Sequence, residues 1–208
     1  METKKAQVMK EIEESKLIVI MRGLEEEQAL KAADAMVKGG IRLIEVTFDP
    51  QKTAEHTTQI IRALRAAFQG TLCVGAGTVV TIEQLDAARE AGAEYMISPN
   101  TNGEIIRKSI EYGLVSIPGA LSPTEIRTAH EAGADYVKVF PVTALAPNYI
   151  SSVAAPLSNV KLMAVGGINA ENMEHYFRQG AVGIGVGGNI VNKKMISAGD
   201  YAGITQLA

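Results

Sequence analysis

Eight short apolar runs recur along the chain at intervals of about 20 to 30 residues, with amphipathic stretches between them. They begin at Leu17, Ile41, Leu72, Ala93, Gly113, Ala134, Val160 and Ala181. Each is nearly continuous in apolar character and rich in β-branched residues, as expected for a strand covered on both faces. Strands of that kind belong to a parallel sheet, and each gap has room for one helix. Eight strand–helix units predict an α/β fold of the (β/α)8 TIM-barrel class, with 208 residues near the short end of its range. The competing arrangement is an open doubly wound sheet, which would carry a glycine-rich dinucleotide turn after its first strand. Here the first strand runs on into RGLEEEQA. No linker or low-complexity segment interrupts the pattern, so a single barrel domain is expected over 1–208, opened by a leading helix over 1–15.

The helices carry ordinary start and stop signals. EEEQALKAADAMVKGG has apolar residues at helical spacing and a Gly39-Gly40 stop. SPTEIRTAHEAGA offers Ser122 as N-cap with Glu125 at the capping-box position. The recurring GGI and AGA before strands (39–41, 91–93, 132–134) read as helix C-caps.

In a barrel, chemistry is carried by the C-terminal ends of the strands and the loops that follow. That rule selects Arg22 after the first strand, Glu45 and Thr47 late in the second, and Thr78 after the third. It selects Ser98-Pro99, Pro118-Gly119, Lys138 with Phe140, and the glycines at 166, 167, 185, 187 and 188 on the remaining five. The sixth run, ADYVKVFP, sets Lys138 inside an apolar strand, where an unpaired ammonium is costly enough to lose its proton. Alternation along the strand points Tyr136, Lys138 and Phe140 inward and Val137 and Val139 toward the helices. The same rule in the second strand points Leu43, Glu45 and Thr47 inward and Ile44 and Val46 outward. The second and sixth strands face one another across an eight-stranded barrel, so Lys138 and Glu45 meet at its mouth.

Two readings of that pair stand: a buried salt bridge, or an imine-forming lysine with a carboxylate proton shuttle. A desolvated lysine is partly neutral at pH 7 and attacks a ketone, and its iminium then serves as an electron sink. A carboxylate moves protons beside it. Carbon–carbon cleavage next to a keto group needs those two groups and no metal. The glycine-rich ends of the seventh and eighth strands, AVGGINAENM and GIGVGGNIVN, place backbone N–H groups where barrels bind phosphate, just before a helix. Arg22 suits a carboxylate, and Thr78 can bond a carboxylate or keto-derived oxygen. A solvated arginine and a simple turn are the plainer readings of those two.

Net charge -3 gives no basic surface for nucleic acid or an anionic membrane. A lone cysteine, Cys73, rules out an intramolecular disulfide and reads as core. His56, His130 and His175 lack metal-ligand spacing. The charged N-terminus reads as a helix without a signal-peptide core, so a cytoplasmic location is expected.

The motifs IEVTF with Glu45, GAGTV with Thr78, ISPN with Pro99, IPGALSPTEI, VKVFP with Lys138 and VGGI follow one another in this order. Together, from about residue 16 to 206, they resemble the class I 2-keto-3-deoxy-6-phosphogluconate (KDPG) and 4-hydroxy-2-oxoglutarate (KHG) aldolases. The resemblance implies a TIM barrel, a homotrimer, and release of pyruvate from a small keto acid by Schiff-base chemistry without metal or other cofactor. It implies Lys138 as the imine-forming residue and Glu45 as the acid/base. Thr78 and Pro99 would border the pyruvyl unit, with Arg22 contacting substrate and Phe140 walling the imine pocket. Gly166, Gly167, Gly187 and Gly188 would cradle the phosphate, with Asn189 donating from its amide.

Three positions depart from that pattern. Asp49 stands where an arginine is usual, Val165 where a threonine is usual, and Asn189 where the phosphate turn usually ends in serine. The substrate is therefore left open among phosphogluconate, phosphogalactonate and hydroxyoxoglutarate types. The alternative function is a metal-dependent phosphate-binding barrel, a thiamine-phosphate-synthase-like transferase or a sugar-phosphate epimerase. It would need acidic ligands at strand ends, of which Asp49 is one.

Overall fold

The computed structural model describes residues 3–208. Helix α1 (Lys4–Ser15) is capped by Thr3, whose hydroxyl accepts from the Ala6 N–H, and residues 1 and 2 of the expected leading helix lie outside the described residues. From there strands and helices alternate: β1 (Leu17–Met21), α2 (Glu26–Gly39), β2 (Leu43–Thr47), α3 (Ala54–Ala67), β3 (Cys73–Gly77), α4 (Ile82–Glu90), β4 (Tyr95–Ile97) and α5 (Gly103–Glu111). The second half runs β5 (Val115–Ile117), β6 (Gly119–Ala120), α6 (Pro123–Glu131), β7 (Val137–Val139), α7 (Tyr149–Ala154), β8 (Leu162–Val165), α8 (Met173–Arg178) and β9 (Gly183–Val186). Helices α9 (Lys193–Ala198) and α10 (Tyr201–Leu207) follow.

All strand pairings are parallel, in the order β5-β4-β3-β2-β1-β9-β8-β7-β6. The two ends of that order, β5 and β6, are halves of one stave split at Pro118, which has no N–H for the ladder. Pro118 keeps its acceptor, and its carbonyl receives the Lys138 N–H at 2.8 Å. The sheet thus closes as an eight-stave barrel. The fifth run, expected as one strand, is two short ones around this proline; the sixth, seventh and eighth runs are β7, β8 and β9.

The buried apolar residues separate into two clusters that follow strand parity. Ile18, Leu43, Tyr95, Ile97, Val115, Ile117, Tyr136 and Met163 fill the barrel, and Val8 and Ile12 of α1 plug its N-terminal end. Ile44, Val46, Val137 and Val139 join the larger layer between strands and helices. The inward and outward assignments made from alternation in β2 and β7 agree with this partition. The expected capping box is formed, with the Ser122 N–H donating to Glu125 at 2.7 Å and the Glu125 N–H to Ser122 at 3.3 Å. Gly40, Gly92 and Gly133 close their helices at φ 106°, 91° and 100°.

Two inward positions of β3 carry no side chain for a steric reason. A Cβ at Gly75 would overlap the Tyr95 ring, and one at Gly77 would overlap the Glu45 carboxyl. Alternating glycines here make room for large side chains from the neighbouring staves.

Candidate active site

Lys138 is in β7 and Glu45 in β2, 6% and 2% exposed respectively, both on the barrel side of their strands. Burial pushes the Lys138 ammonium below the ordinary lysine range; the charge of Arg22 pushes the same way, and Glu45 opposes both. Burial pushes the Glu45 carboxyl above the ordinary range, against the pull of Lys138 and Arg22. Each group thus feels the other, yet among the described residues neither closes an ion pair within 4.0 Å. The pair is two desolvated groups facing one mouth, and the buried salt-bridge reading of the sequence does not hold.

The remaining expected residues gather around them. The Lys138 ammonium sits 4.8 Å from the centre of the Phe140 ring, two residues along the same face. Arg22 donates to the Thr78 hydroxyl at 3.2 Å. Thr78 has φ 58°, a left-handed conformation that costs a non-glycine residue about 1–3 kcal/mol and that residue type does not signal. Pro99 is half-buried at the end of β4, packed so closely on Gly119 that no Cβ fits there, and Gly119 is in register with Lys138.

An open cleft of about 510 Å³ joins Arg22 and Phe140 to Val165, Gly166, Gly167, Gly187, Gly188 and Asn189. Gly166 and Gly167 have φ 102° and 77°, and a Cβ at Gly166 would stand 3.1 Å from the Pro141 Cα. Among the described residues the backbone N–H groups of Gly166, Gly167, Gly188 and Asn189 donate to no protein acceptor, so they are available to an anion. One expectation needs correction. The helices do not begin at the glycines: α8 starts at Met173 and α9 at Lys193, each only six residues long. What the cleft offers an anion is therefore the loop N–H groups rather than helix dipoles. The Asn189 side chain donates to the Ile168 carbonyl at 2.7 Å, stapling one glycine loop to the other, which leaves one amide hydrogen for a ligand.

Lys193 is a cation that sequence reasoning passed over. It lines a continuation of the cleft with Arg22, Gly187 and Gly188, and its ammonium lies 3.0 Å from where a Cβ on Gly23 would stand. No motif marks it, because only the fold brings the loop after β9 against the loop after β1. The Cys73 thiol is pushed up to about 11, chiefly by burial, consistent with a core role. Among the described residues no three His, Cys, Asp or Glu side chains gather to hold a metal ion, at Asp49 or elsewhere. Nor, among them, is any helix long and apolar enough to cross a membrane.

Fold and site together define a barrel with a buried lysine and carboxylate under a cleft lined by free backbone N–H groups, the arrangement an imine-forming lyase requires. The family model "Aldolase: KDPG and KHG aldolase" matches residues 8–207. The 2-dehydro-3-deoxy-6-phosphogalactonate aldolase of Escherichia coli is 35% identical over 84% of this chain and 83% of its own. The 2-dehydro-3-deoxy-phosphogluconate aldolase of Treponema pallidum is 37% identical over 88% of this chain and 85% of its own. A crystal structure of the Legionella pneumophila KDPG aldolase, with pyruvate captured as a covalent carbinolamine, superposes with TM-score 0.85 at 28% identity, covering 99% of this chain and 96% of that one. The chain belongs to the KDPG and KHG aldolase family and is an aldolase, a carbon–carbon lyase.

Proposed function

We propose that this single-domain barrel cleaves a 2-keto-3-deoxy-6-phospho sugar acid to pyruvate and glyceraldehyde 3-phosphate. The carrying observation is the pair Lys138 and Glu45, both desolvated and facing one mouth without an ion pair between them. The neutral Lys138 amine adds to the C2 ketone, and loss of water from the carbinolamine gives the iminium. Glu45 takes the proton of the C4 hydroxyl as the C3–C4 bond breaks. The bonding pair moves into the iminium to leave an enamine, and the aldehyde departs. Glu45 returns a proton to C3, and hydrolysis releases pyruvate and Lys138. The iminium does the work of a metal as electron sink, so activity should survive a chelator.

Arg22, tied to Thr78, binds the pyruvyl carboxylate in place of the arginine that Asp49 replaces. Pro99 and Phe140 wall the imine pocket. The glycine loops at 166–167 and 187–188, with Asn189 and Lys193, hold the phosphate. A phosphorylated acid is favoured over 4-hydroxy-2-oxoglutarate because the unpartnered N–H groups and the Lys193 ammonium suit a dianion. Val165 offers no hydrogen bond to the sugar hydroxyls, and a site lacking such a bond separates hydroxyl epimers only weakly. The test is pyruvate release from both 6-phospho epimers and from hydroxyoxoglutarate. The phosphorylated acids should lead in kcat/KM by at least about tenfold, the worth of one charge-assisted hydrogen bond. Equal values for all three would sink the phosphate assignment. A homotrimer is the expectation that the family resemblance supports, and a cytoplasmic location the one the N-terminal sequence supports; a light-scattering mass of three chains checks the former.

A further inference from the structure

Tyr95 lies fully buried inside the barrel, and its hydroxyl makes no hydrogen bond of good geometry in the protein, although the Gly75 backbone approaches it. A buried phenol normally finds one. Strand register shows where this one is aimed. Ala76 pairs with Met96, which sets Gly75 level with Tyr95, and Gly75 pairs with Glu45. Tyr95, Gly75 and Glu45 therefore stand in one layer on three successive staves, the middle one bare. The Tyr95 ring lies across Gly75 toward β2, while the Glu45 carboxyl rests one pleat higher, over Gly77. Neighbouring staves are about 4.8 Å apart and alternate inward positions about 6.8 Å apart, spacings that let one water bridge the phenol and the carboxyl.

The other charged or titratable groups facing the pair are accounted for. Lys138 and Arg22 act on Glu45 from above. Cys73 and Glu94 face Tyr95 from the closed end, where Glu94 is held by Arg65, by Lys4 at 2.6 Å and by the Val74 N–H at 3.0 Å. Glu94 Oε1 makes no hydrogen bond of good geometry but is neutralised by the Lys4 ammonium at the closed end, which leaves the Glu45 carboxyl as the uncompensated acceptor.

We infer that Tyr95 is a positioning residue for Glu45: through one ordered water its hydroxyl donates to the carboxylate, favouring the ionised form and aiming it up the barrel. This rests on the acid/base role proposed for Glu45. A donor to the ionised form stabilises it, so losing the donor moves the onset of base activity to higher pH.

The readout is deuterium exchange into the pyruvate methyl group, normalised to the adduct trapped on Lys138 by borohydride, followed from mildly acidic to alkaline pH. Tyr95→Phe removes one oxygen and should slow exchange about tenfold on the acidic side, with the wild-type rate regained as pH rises. Trapping on Lys138 should be unaffected. Replacing Tyr95 with 3-fluorotyrosine, a stronger donor of nearly the same shape, should shift the curve the opposite way, and it keeps the test open if Tyr95→Phe accumulates poorly. A curve coinciding with wild type, or lowered by one factor at every pH, would assign Tyr95 a packing role and overturn the inference. Glu45→Gln separates the two claims. If it still exchanges, the role of Glu45 fails; if it does not and Tyr95→Phe is unshifted, only the role of Tyr95 fails.

Discussion

Borohydride reduction in the presence of pyruvate is expected to leave one reduced pyruvyl adduct on the chain, on Lys138 and nowhere else. Lys138→Ala should abolish the adduct and lower turnover by about 10⁴-fold or more, the scale on which covalent nucleophiles are missed. The reason is electrostatic. An ordinary lysine, with a pKa of about 10.4, is almost entirely protonated at pH 7 and cannot attack a carbonyl. Burial in β7, helped by the charge of Arg22, lowers the affinity of Lys138 for its proton. Its competent fraction therefore rises as pH climbs through the depressed value, and trapping rates should fall on acidification. The same burial works against stability. In the window between its folded and unfolded pKa values the unfolded chain binds the proton and the folded one does not, so stability there increases with pH. Below the folded value the penalty is fully present. Lys138→Met should accordingly unfold at a higher temperature than wild type at neutral pH while forming no adduct. An adduct that persists in either variant, mapped to another residue, would refute the assignment.

The barrel and the lysine were legible because both depend on local pattern. Strand parity is a rule of alternate residues, and it pointed Tyr136 and Leu43 inward from the sequence alone, as their membership of the interior layer bears out, with Lys138 buried two residues along from Tyr136. The opposition of Glu45 to Lys138 followed from counting staves. What stayed hidden depends on contacts between distant segments. Pro118 splits its stave because a ladder N–H is missing where β6 must pair with β7, which no single-strand pattern reveals. The φ of Thr78 is imposed by the turn it serves, whereas residue type argues against a left-handed threonine. The glycine loops read as helix starts because glycine before polar residues is ambiguous between an anion turn and a cap. Their helices begin later, after Asn172 and Asn192. Gly75 and Gly77 were in view in GAGTV, but their purpose appears only when Tyr95 and Glu45 are seen in the space they leave.

Glu45→Gln should separate imine formation from everything after it. Glutamine keeps the shape of the side chain over Gly77 but cannot accept a proton. The variant should still yield the Lys138 adduct with pyruvate, while cleavage of the phosphorylated substrate and methyl exchange both fall by about 10²–10⁴-fold, the usual contribution of a positioned general base. Burial raises the Glu45 pKa, so the fold favours its protonated form, and this preference is lost as pH rises through the folded-state value. Removing the ionisable group should therefore leave the protein no less stable at alkaline pH, and the loss of rate cannot be put down to unfolding. Lys138→Ala and Glu45→Gln then give opposite patterns on one pair of measurements, the first losing the adduct and the second keeping it without turnover. If Glu45→Gln loses the adduct as well, the carboxylate is needed to assemble the carbinolamine or expel its water, and its work begins before the carbon–carbon bond is touched. If exchange proceeds at the wild-type rate, another group carries the proton and Glu45 is not the base.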